Sequence, residues 1–338
     1  MSEKDQKTIS LRRRYVPRLD KEYLKTVGPA LLIVIVGFWV AYQFVQPAPP
    51  HTIVMSTGGK DGAYYLFAQR YRDILARDDI TLEIRTSAGS VENIERLEKG
   101  EVDIAFVQGG SNTSRDSQSL LSLGSMYYEP LWVFYRSNKR LKRLTKFEGK
   151  RIAVGKEGSG TRAVTLKLLK ENGITGAQAF LSSLGGQDAA DALWQREVDA
   201  AFFVASPQSP TVQKLLTRSP IKLMSFKRAK AYTRRHAFLA SVILPQAVIN
   251  LDKDLPPHDT TLLAATANLV VRTDFHPALI DLILEAAKDV HGAGGLFAEQ
   301  GEFPSPEYLE FPLSEEAGRY YRRGPSFLRR YLPFWAAT

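Results

Sequence analysis

Two glycine-rich turns hold the residue types whose spacing best suits ligand chemistry. TGGKDG at 57–62 and KEGSGT at 156–161 each stand between an apolar run and the start of a helical pattern. A strand–loop–helix unit of this kind presents backbone N–H groups and the positive end of a helix to an anion. The turns therefore predict sites for phosphate or carboxylate. Tight packing of a strand–helix connection is the alternative interpretation.

Hydroxyl, amide and guanidinium side chains cluster around the same turns, and such groups orient small polar ligands by hydrogen bonds. We expect Arg85 and Arg162 to form a carboxylate clamp. Of the adjacent Tyr64 and Tyr65, we expect one to pack in the core and the other to cover the ligand. The candidate ligand-binding residues are Thr57, Gly58, Gly59, Tyr64, Tyr65, Arg85, Ser87, Asn93, Gln108, Ser159, Gly160, Thr161 and Arg162.

Motifs for catalysis are missing from the sequence. The second turn lacks the lysine of a P-loop, and neither a G-x-S-x-G elbow nor an H-E-x-x-H motif occurs. Asp103 and Asp199 occupy matching positions that suggest capping or turn roles. The histidines fall in predicted linkers or element ends, where we expect solvated rings: His51, His236, His258, His276 and His291. We predict a binding protein rather than an enzyme, with no catalytic residue, metal or cofactor.

Composition fits a globular chain of about two domains. The 338 residues are 44% apolar and 24% charged, with a net charge of +9. Cysteine is absent, which excludes disulfide scaffolds, thiolate metal sites and cysteine nucleophiles. The basic excess is spread along the chain, apart from the two ends. A nucleic-acid partner is therefore not predicted, because such proteins usually concentrate positive charge on one element.

One order of elements occurs twice after residue 50. The first set is strand 52–56, a helix from about Tyr64, strand 82–86, a helix that Ser90 can cap and that runs to Lys99, and strand 102–107. The second set is strand 151–155, a helix to about Glu171, strand 178–183, a helix from Asp188 to Arg196 and strand 198–204. This alternation predicts two parallel α/β sheets, and ligands bind beyond the carboxyl ends of such strands.

A third region lacks a counterpart in the repeat. It begins with a predicted strand at 261–271, and His276-Pro277 then opens a helix. We expect it to return to the first lobe, so that two crossovers form a hinge. The predicted organisation is lobe 1 at 51–135 and 260–305, and lobe 2 at 136–259.

Residues 27–45 form 19 uncharged, mostly apolar positions. As a helix they would extend roughly 28 Å, close to the thickness of a bilayer core. Residues 1–26 carry eight Lys/Arg against four Asp/Glu, which predicts a cytoplasmic N-terminus and a periplasmic remainder. We interpret 27–45 as an uncleaved transmembrane anchor. A cleaved signal peptide is the alternative.

The segments MSTGGKDGAYY (55–65), TSAGSVENIERLEKGEVDIAFVQ (86–108) and GKRIAVGKEGSGTR (149–162) resemble TAXI-type solute-binding proteins. These are subunits of tripartite ATP-independent periplasmic (TRAP) transporters, and the similarity covers about residues 51–305. The resemblance implies the two-lobed type II periplasmic binding protein fold. It also implies a small organic acid or amino acid as ligand, passed to membrane subunits.

The segment 306–338 combines arginines with aromatic residues, a composition typical of a membrane interface. We expect a membrane-proximal tail there, with docking on lobe 2 as the alternative. Taken together, the predicted function is that of an inner-membrane-anchored protein that captures a small anionic metabolite for a TRAP permease. The alternative is a tethered sensor or scaffold that does not transport.

Overall fold

The computed structural model describes residues 21–43, 48–112, 119–217 and 219–326, and the chain divides into two compact units between Ala48 and Pro49. Helix α1 (Lys21–Gln43) belongs to the first unit. Its side chains from Val27 to Trp39 are exposed. Within the described residues, the structure contains no helix long and apolar enough to cross a membrane. Residues 44 and 45 of the predicted anchor lie outside that part.

The second unit is an α/β body built on one mixed sheet. The strands are β1 (Thr52–Ser56), β2 (Thr81–Arg85), β3 (Ile104–Gln108), β4 (Leu120–Tyr135), β5 (Arg151–Ala153), β6 (Phe180–Ser182), β7 (Ala200–Val204), β8 (Lys222–Leu223), β9 (Leu239–Leu244) and β10 (Thr260–Arg272). The helices are α2 (Ala63–Leu75), α3 (Ser90–Glu98), α4 (Gly160–Glu171), α5 (Gly186–Trp194), α6 (Pro210–Thr217), α7 (Ala229–Arg235), α8 (Pro277–His291) and α9 (Glu315–Arg323).

The predicted repeat is present in the sheet. Strands β2-β1-β3 are parallel and in that order, and strands β6-β5-β7 repeat the same arrangement. The two aspartates singled out in the sequence have matching roles. Asp103 accepts a hydrogen bond from the backbone N–H of Val54 (2.8 Å), and Asp199 accepts one from that of Arg151 (2.9 Å). Each carboxylate thus ties the start of the third strand of its lobe to the first.

Strands β4 and β10 join the two halves. Over most of their length they pair antiparallel with each other. In addition, β4 pairs with β7 of lobe 2 at Leu131–Tyr135, and β10 pairs with β3 of lobe 1 at Ala267–Val271, along its edge opposite β4. The third region therefore pairs with lobe 1 through β10, and two strands connect the lobes. The predicted boundary at 135/136 falls at the end of a strand that both lobes share.

Each lobe has its own apolar core. In lobe 1, α2 and α8 pack over the sheet around Tyr71 and Phe106, both fully buried. In lobe 2, Leu168 of α4 lies in the same buried cluster as Phe202 of β7. Pro277 occupies the first turn of α8, as the sequence predicted. The fixed φ of proline suits that position, where its missing N–H is not needed. The His276 side chain caps the helix by accepting from the backbone N–H of Ala278, which differs from the solvated ring that was expected.

The described part of the C-terminal segment, up to residue 326, docks on lobe 1 and not on lobe 2. Helix α9 packs on α8, and Arg319 pairs with the buried carboxylate of Asp281 at 2.5 Å. The Tyr321 hydroxyl donates to the carbonyl oxygen of Leu123 at 2.9 Å. This side of α9 contacts the protein. A membrane-proximal tail was expected at 306–338, and residues 327–338 of that segment lie outside the described part.

Candidate functional site

The loops after β2 and β5 meet between the lobes. A Cβ atom on Gly89 would lie 3.2 Å from Ser159 Cα and 3.3 Å from the carbonyl oxygen of Gly158. Gly158 in turn faces Ala88, with 3.3 Å between their Cβ positions. Gly89 and Gly158 both have positive φ, +138° and +75°, which glycine adopts at little cost. The lobes therefore touch through backbone that side chains would keep apart.

Beside this contact, Gln108 and Ser111 lie at the carboxyl end of β3, facing the first turn of α4. A Cβ on Gly160 would be 2.8 Å from Gln108 Oε1 and 2.9 Å from Ser111 Oγ. The two residues are 4% and 0% exposed, yet Gln108 Nε2 and Ser111 Oγ have no hydrogen-bond partner among the described residues. Buried polar atoms are normally paired. Two unpaired polar atoms are therefore buried at the lobe junction.

Two helices begin at this junction. Ser159 caps α4, its Oγ accepting from the backbone N–H of Arg162 at 3.3 Å. Helix α3 begins at Ser90, and its N-cap is Gly89. The prediction that Ser90 caps α3 is wrong, because its Oγ instead accepts from the backbone N–H of Gln108 at 2.9 Å. Both N-termini carry partial positive charge, which suits an anion placed between them.

Asn93 is a predicted ligand-binding residue whose hydrogen-bonding capacity is used inside lobe 1. Its Nδ2 donates to the carbonyl oxygens of Thr57 and Phe106, each at 2.8 Å. Its Oδ1 accepts from the hydroxyls of Ser56 (2.6 Å) and Ser87 (2.7 Å). Both amide hydrogens and both oxygen lone pairs are occupied. In this structure Asn93 is a positioning residue that ties the loops after β1 and β2 to β3.

The predicted clamp of Arg85 and Arg162 is not assembled. Arg85 binds Glu83 at 2.8 Å and the carbonyl oxygen of Glu101 at 2.8 Å, both in lobe 1. Arg162 donates to Ser183 Oγ at 3.0 Å in lobe 2. Each guanidinium is therefore engaged within its own lobe.

Tyr64 is the tyrosine of the pair that packs. Its ring stacks on Phe106 with centroids 5.1 Å apart, and its hydroxyl donates to Glu129 Oε2 at 2.8 Å. Glu129 is 8% exposed on β4, and burial raises its pKa to about 7, against the opposing effect of the Tyr64 hydrogen bond. Sequence reasoning missed Glu129. The available signal was a single charged residue in a 16-residue apolar run.

The other candidate residues are distributed around the junction. Thr57 is buried and its hydroxyl faces the carbonyl oxygens of Gly58 and Arg85. Neither Gly58 nor Gly59 has a heavy atom within 4 Å of its Cβ position, so the first turn is open. Thr161 accepts from the backbone N–H of Val204 at 3.2 Å, and Tyr65 is half-buried.

The loop that carries Ser111 is held from the C-terminal segment. Glu310 Oε2 accepts from the backbone N–H of Gly110 at 2.7 Å and from that of Asn112 at 3.3 Å. Burial raises the pKa of Glu310, while these hydrogen bonds lower it. Neither Ser111 nor Glu310 was singled out in the sequence. The run QGGS at 108–111, glycines directly after a buried strand, was the signal for the loop.

His291 does not match the expectation of a solvated ring. It is buried beside Phe67, Tyr71 and Tyr127, with Tyr127 stacked on it at 5.5 Å. Burial, with a smaller effect of Arg70, lowers the pKa of His291 to about 3, so the ring is neutral at physiological pH. His236 also differs from the expectation, since its Nε2 lies 2.9 Å from Glu171.

These features define a two-lobed α/β protein with buried, unpaired polar atoms at the junction of its lobes. The model of the NMT1-like family matches residues 55–323, and the chain therefore belongs to the NMT1-like family.

Several solved structures are similar to the chain. The periplasmic aliphatic sulphonate binding protein SsuA from Escherichia coli is 14% identical, with 72% of this chain and 73% of that chain covered and a TM-score of 0.49. The alkanesulfonate-binding protein SsuA from Xanthomonas axonopodis pv. citri, bound to MOPS, is 14% identical over 72% and 74%, with a TM-score of 0.48. The substrate binding protein of an amino acid ABC transporter is 16% identical over 71% and 92%, with a TM-score of 0.44.

Proposed function

We propose that this protein is a solute-binding protein whose lobes close on a small organic anion, a carboxylate or an amino acid. The observation that carries the proposal is the pair of unpaired buried groups, Gln108 Nε2 and Ser111 Oγ, at the N-terminus of α4. A carboxylate there would accept from the Gln108 amide and from backbone N–H groups of α4. Such charge-assisted hydrogen bonds are stronger than neutral ones.

The connection between the lobes supports capture by closure. The paired strands β4 and β10 run from one lobe to the other, so a small change at their centre changes the separation of the lobes. Gly89, Gly158 and Gly160 let the two backbones approach closely on one side. A ligand that contacts both lobes stabilises the closed arrangement by its differential affinity for that state.

A panel of anions added to the full chain tests this proposal. Glutamate, succinate and taurine are compared with putrescine, which has no acidic group, by thermal unfolding. A ligand at 100 times its Kd adds about 2.7 kcal/mol to the free energy of unfolding. We expect at least one anion to stabilise the protein, Gln108→Ala to abolish the effect and the exposed Gln195→Ala to preserve it. No stabilisation by any anion, in protein shown to be free of ligand, contradicts the proposal.

We also infer that residues 27–45 attach the protein to the inner membrane, with the N-terminus cytoplasmic and the binding body periplasmic. The exposed apolar side chains of α1, among them Leu32, Phe38 and Trp39, support this inference. The full chain should stay with membranes after an alkaline carbonate wash. Ile35→Arg, which costs about 3 kcal/mol at a bilayer centre, should reduce that fraction. Recovery of the unaltered chain in the soluble fraction would contradict membrane attachment.

The TAXI resemblance suggests a TRAP permease as the recipient of the ligand. Purification of the full chain from membranes, under mild detergent, tests that assignment. We expect a multi-span permease to co-purify. Recovery of a kinase or of envelope-assembly proteins in its place would favour the tethered sensor or scaffold.

A further inference from the structure

A cavity lies in lobe 2, away from the lobe junction. It has a volume of about 400 Å³, within the range of roughly 300–1,000 Å³ typical of small-molecule sites. Its wall is formed by the end of α6, by β8 and by the segment 255–260. Gln108, Ser111 and Gly160 do not line it. A ligand here would therefore not be the ligand of the junction.

Most of the cavity wall is apolar. Leucine side chains from three separate segments line it, together with prolines of the same segments. Leu215 is buried, whereas Leu216, Leu223 and Leu255 keep part of their surface accessible. Partly exposed aliphatic side chains around a concave surface favour an apolar occupant, because covering them removes apolar area from water. The wall predicts a ligand with an alkyl or aryl body.

The charged residues of the cavity all have one sign. Arg140, Lys142 and Lys222 line it, and no aspartate or glutamate is among the described lining residues. Lys222 Nζ donates to the carbonyl oxygen of Asn138 at 2.9 Å, which leaves Arg140 and Lys142 as exposed charges. A cavity that combines an apolar wall with cations only is complementary to an amphipathic anion.

His258 adds an unpaired polar atom to this cationic end. It lines the same cavity, and its Nδ1 is buried with no hydrogen-bond partner among the described residues. Burial, together with the charges of Arg140 and Lys142, lowers the pKa of His258. All three residues line the cavity. The nearby Asp259 opposes that effect. A neutral imidazole can donate one hydrogen bond to a carboxylate oxygen.

We propose that this lobe 2 cavity binds an amphipathic monocarboxylate, with its alkyl or aryl body against the leucines and its carboxylate at Arg140, Lys142 and His258. The site would let lobe 2 respond to a second metabolite while the junction holds its own ligand. Binding at this cavity is independent of the ligand proposed for the junction.

Calorimetric titration of the full chain in nanodiscs tests the site, with empty nanodiscs as the blank. The probes are butyrate, hexanoate and octanoate, with octylamine as the probe of opposite charge. Each added methylene should increase the affinity by about fourfold, the equivalent of its transfer free energy. Octylamine should bind at least tenfold more weakly than octanoate. Absence of octanoate binding, or equal binding of octylamine, overturns the proposal.

Matched variants locate the binding. Arg140→Gln with Lys142→Gln should weaken octanoate binding by at least tenfold, and Leu216→Trp, which fills the cavity, should do the same. The control pair Arg143→Gln with Lys146→Gln removes equal charge from exposed residues that do not line the cavity. Gln108→Ala should leave octanoate binding unchanged. Equal loss in the control pair, or loss in Gln108→Ala, overturns the assignment to this cavity.

Discussion

Glu129 is an unusual side chain of β4, because its carboxylate is buried with the Tyr64 hydroxyl as its hydrogen-bond donor. Burial favours its neutral form, so its pKa rises from 4.5 to about 7. The folded protein then holds this proton to a higher pH than the unfolded chain does. Stability from this group is present at low pH and is lost as pH rises from about 4.5 through about 7.

Glu129→Gln should therefore remove one pH dependence of stability. Between pH about 4.5 and pH about 8, the unaltered protein should lose on the order of 3 kcal/mol of unfolding free energy relative to this variant. Urea denaturation at several pH values measures the difference. Glu148→Gln, at an exposed position, is the control and should run parallel to the unaltered protein. Parallel curves for Glu129→Gln would show that the carboxylate is not desolvated.

Asn93 should contribute to stability directly, because its hydrogen bonds are all made within lobe 1. Asn93→Ala removes the amide donor of the carbonyl oxygens of Thr57 and Phe106 and the acceptor of two serine hydroxyls. The Thr57 carbonyl oxygen keeps the Ser87 hydroxyl as a donor at 2.5 Å. Each unsatisfied buried group costs about 1–3 kcal/mol, so we expect a loss of about 3 kcal/mol. Chemical denaturation measures it, with the exposed Asn138→Ala as control. A loss below about 1 kcal/mol would contradict the role of Asn93 as a positioning residue.

Among the elements, the first turn of α4 bears most directly on ligand capture. Gly160→Ala introduces a methyl group 2.8 Å from the Gln108 amide, so either that amide or the whole lobe must move. Alanine is the better helix former, but the crowding at this buried position should lower the unfolding free energy by about 1–3 kcal/mol. Affinity for the best anion of the panel should fall about tenfold, the equivalent of one hydrogen bond.

Gly176→Ala provides the matched control for that experiment. Its Cβ position has no heavy atom within 4 Å and its φ is not positive, so nothing at the junction changes. The same titration should give the affinity of the unaltered protein. If Gly160→Ala also binds as tightly as the unaltered protein, α4 does not contact the ligand.

Short elements were predictable because their signals are local. The strand–loop–helix pattern identified β1, β5 and α4, and Pro277 marked the start of α8. Strand β4 was missed, since it is buried along nearly all of its length and shows no alternation. Its pairing with β10 joins residues more than 120 positions apart, which a local pattern does not contain.

Side-chain direction at the site was the less predictable part. Ser90 has the residue type of an N-cap, but Gln108 supplies a backbone donor that only the folded sheet brings near. Arg85 and Arg162 have the right chemistry for a clamp, but oxygen acceptors in their own lobes engage them. Residue type indicated the chemistry around the turns. Which groups remain free for a ligand depends on contacts made by neighbouring elements.

At the scale of the whole molecule, the α/β unit consists of two lobes that share strands β4 and β10. The junction lies to one side of β4 and β10, where the loops after β2 and β5 are in contact. The contact at that place means that a closed arrangement is sterically available to the protein. A ligand then needs only to shift an equilibrium between open and closed arrangements.

A disulfide across the junction tests that equilibrium directly, because the natural sequence has no cysteine. Ala88→Cys with Gly158→Cys places two Cβ atoms 3.3 Å apart, near the separation of roughly 3.5–4.5 Å found in disulfides. The bond should form under mild oxidation, and faster with the ligand present, since the ligand favours closure. The oxidised protein should neither take up nor release ligand, and dithiothreitol should restore both.

Each single variant is a control, and Gly158→Cys alone measures the strain of a side chain at positive φ. Failure of the bond to form under any oxidant, or ligand exchange in the oxidised form at the rate of the reduced form, would contradict a hinged junction.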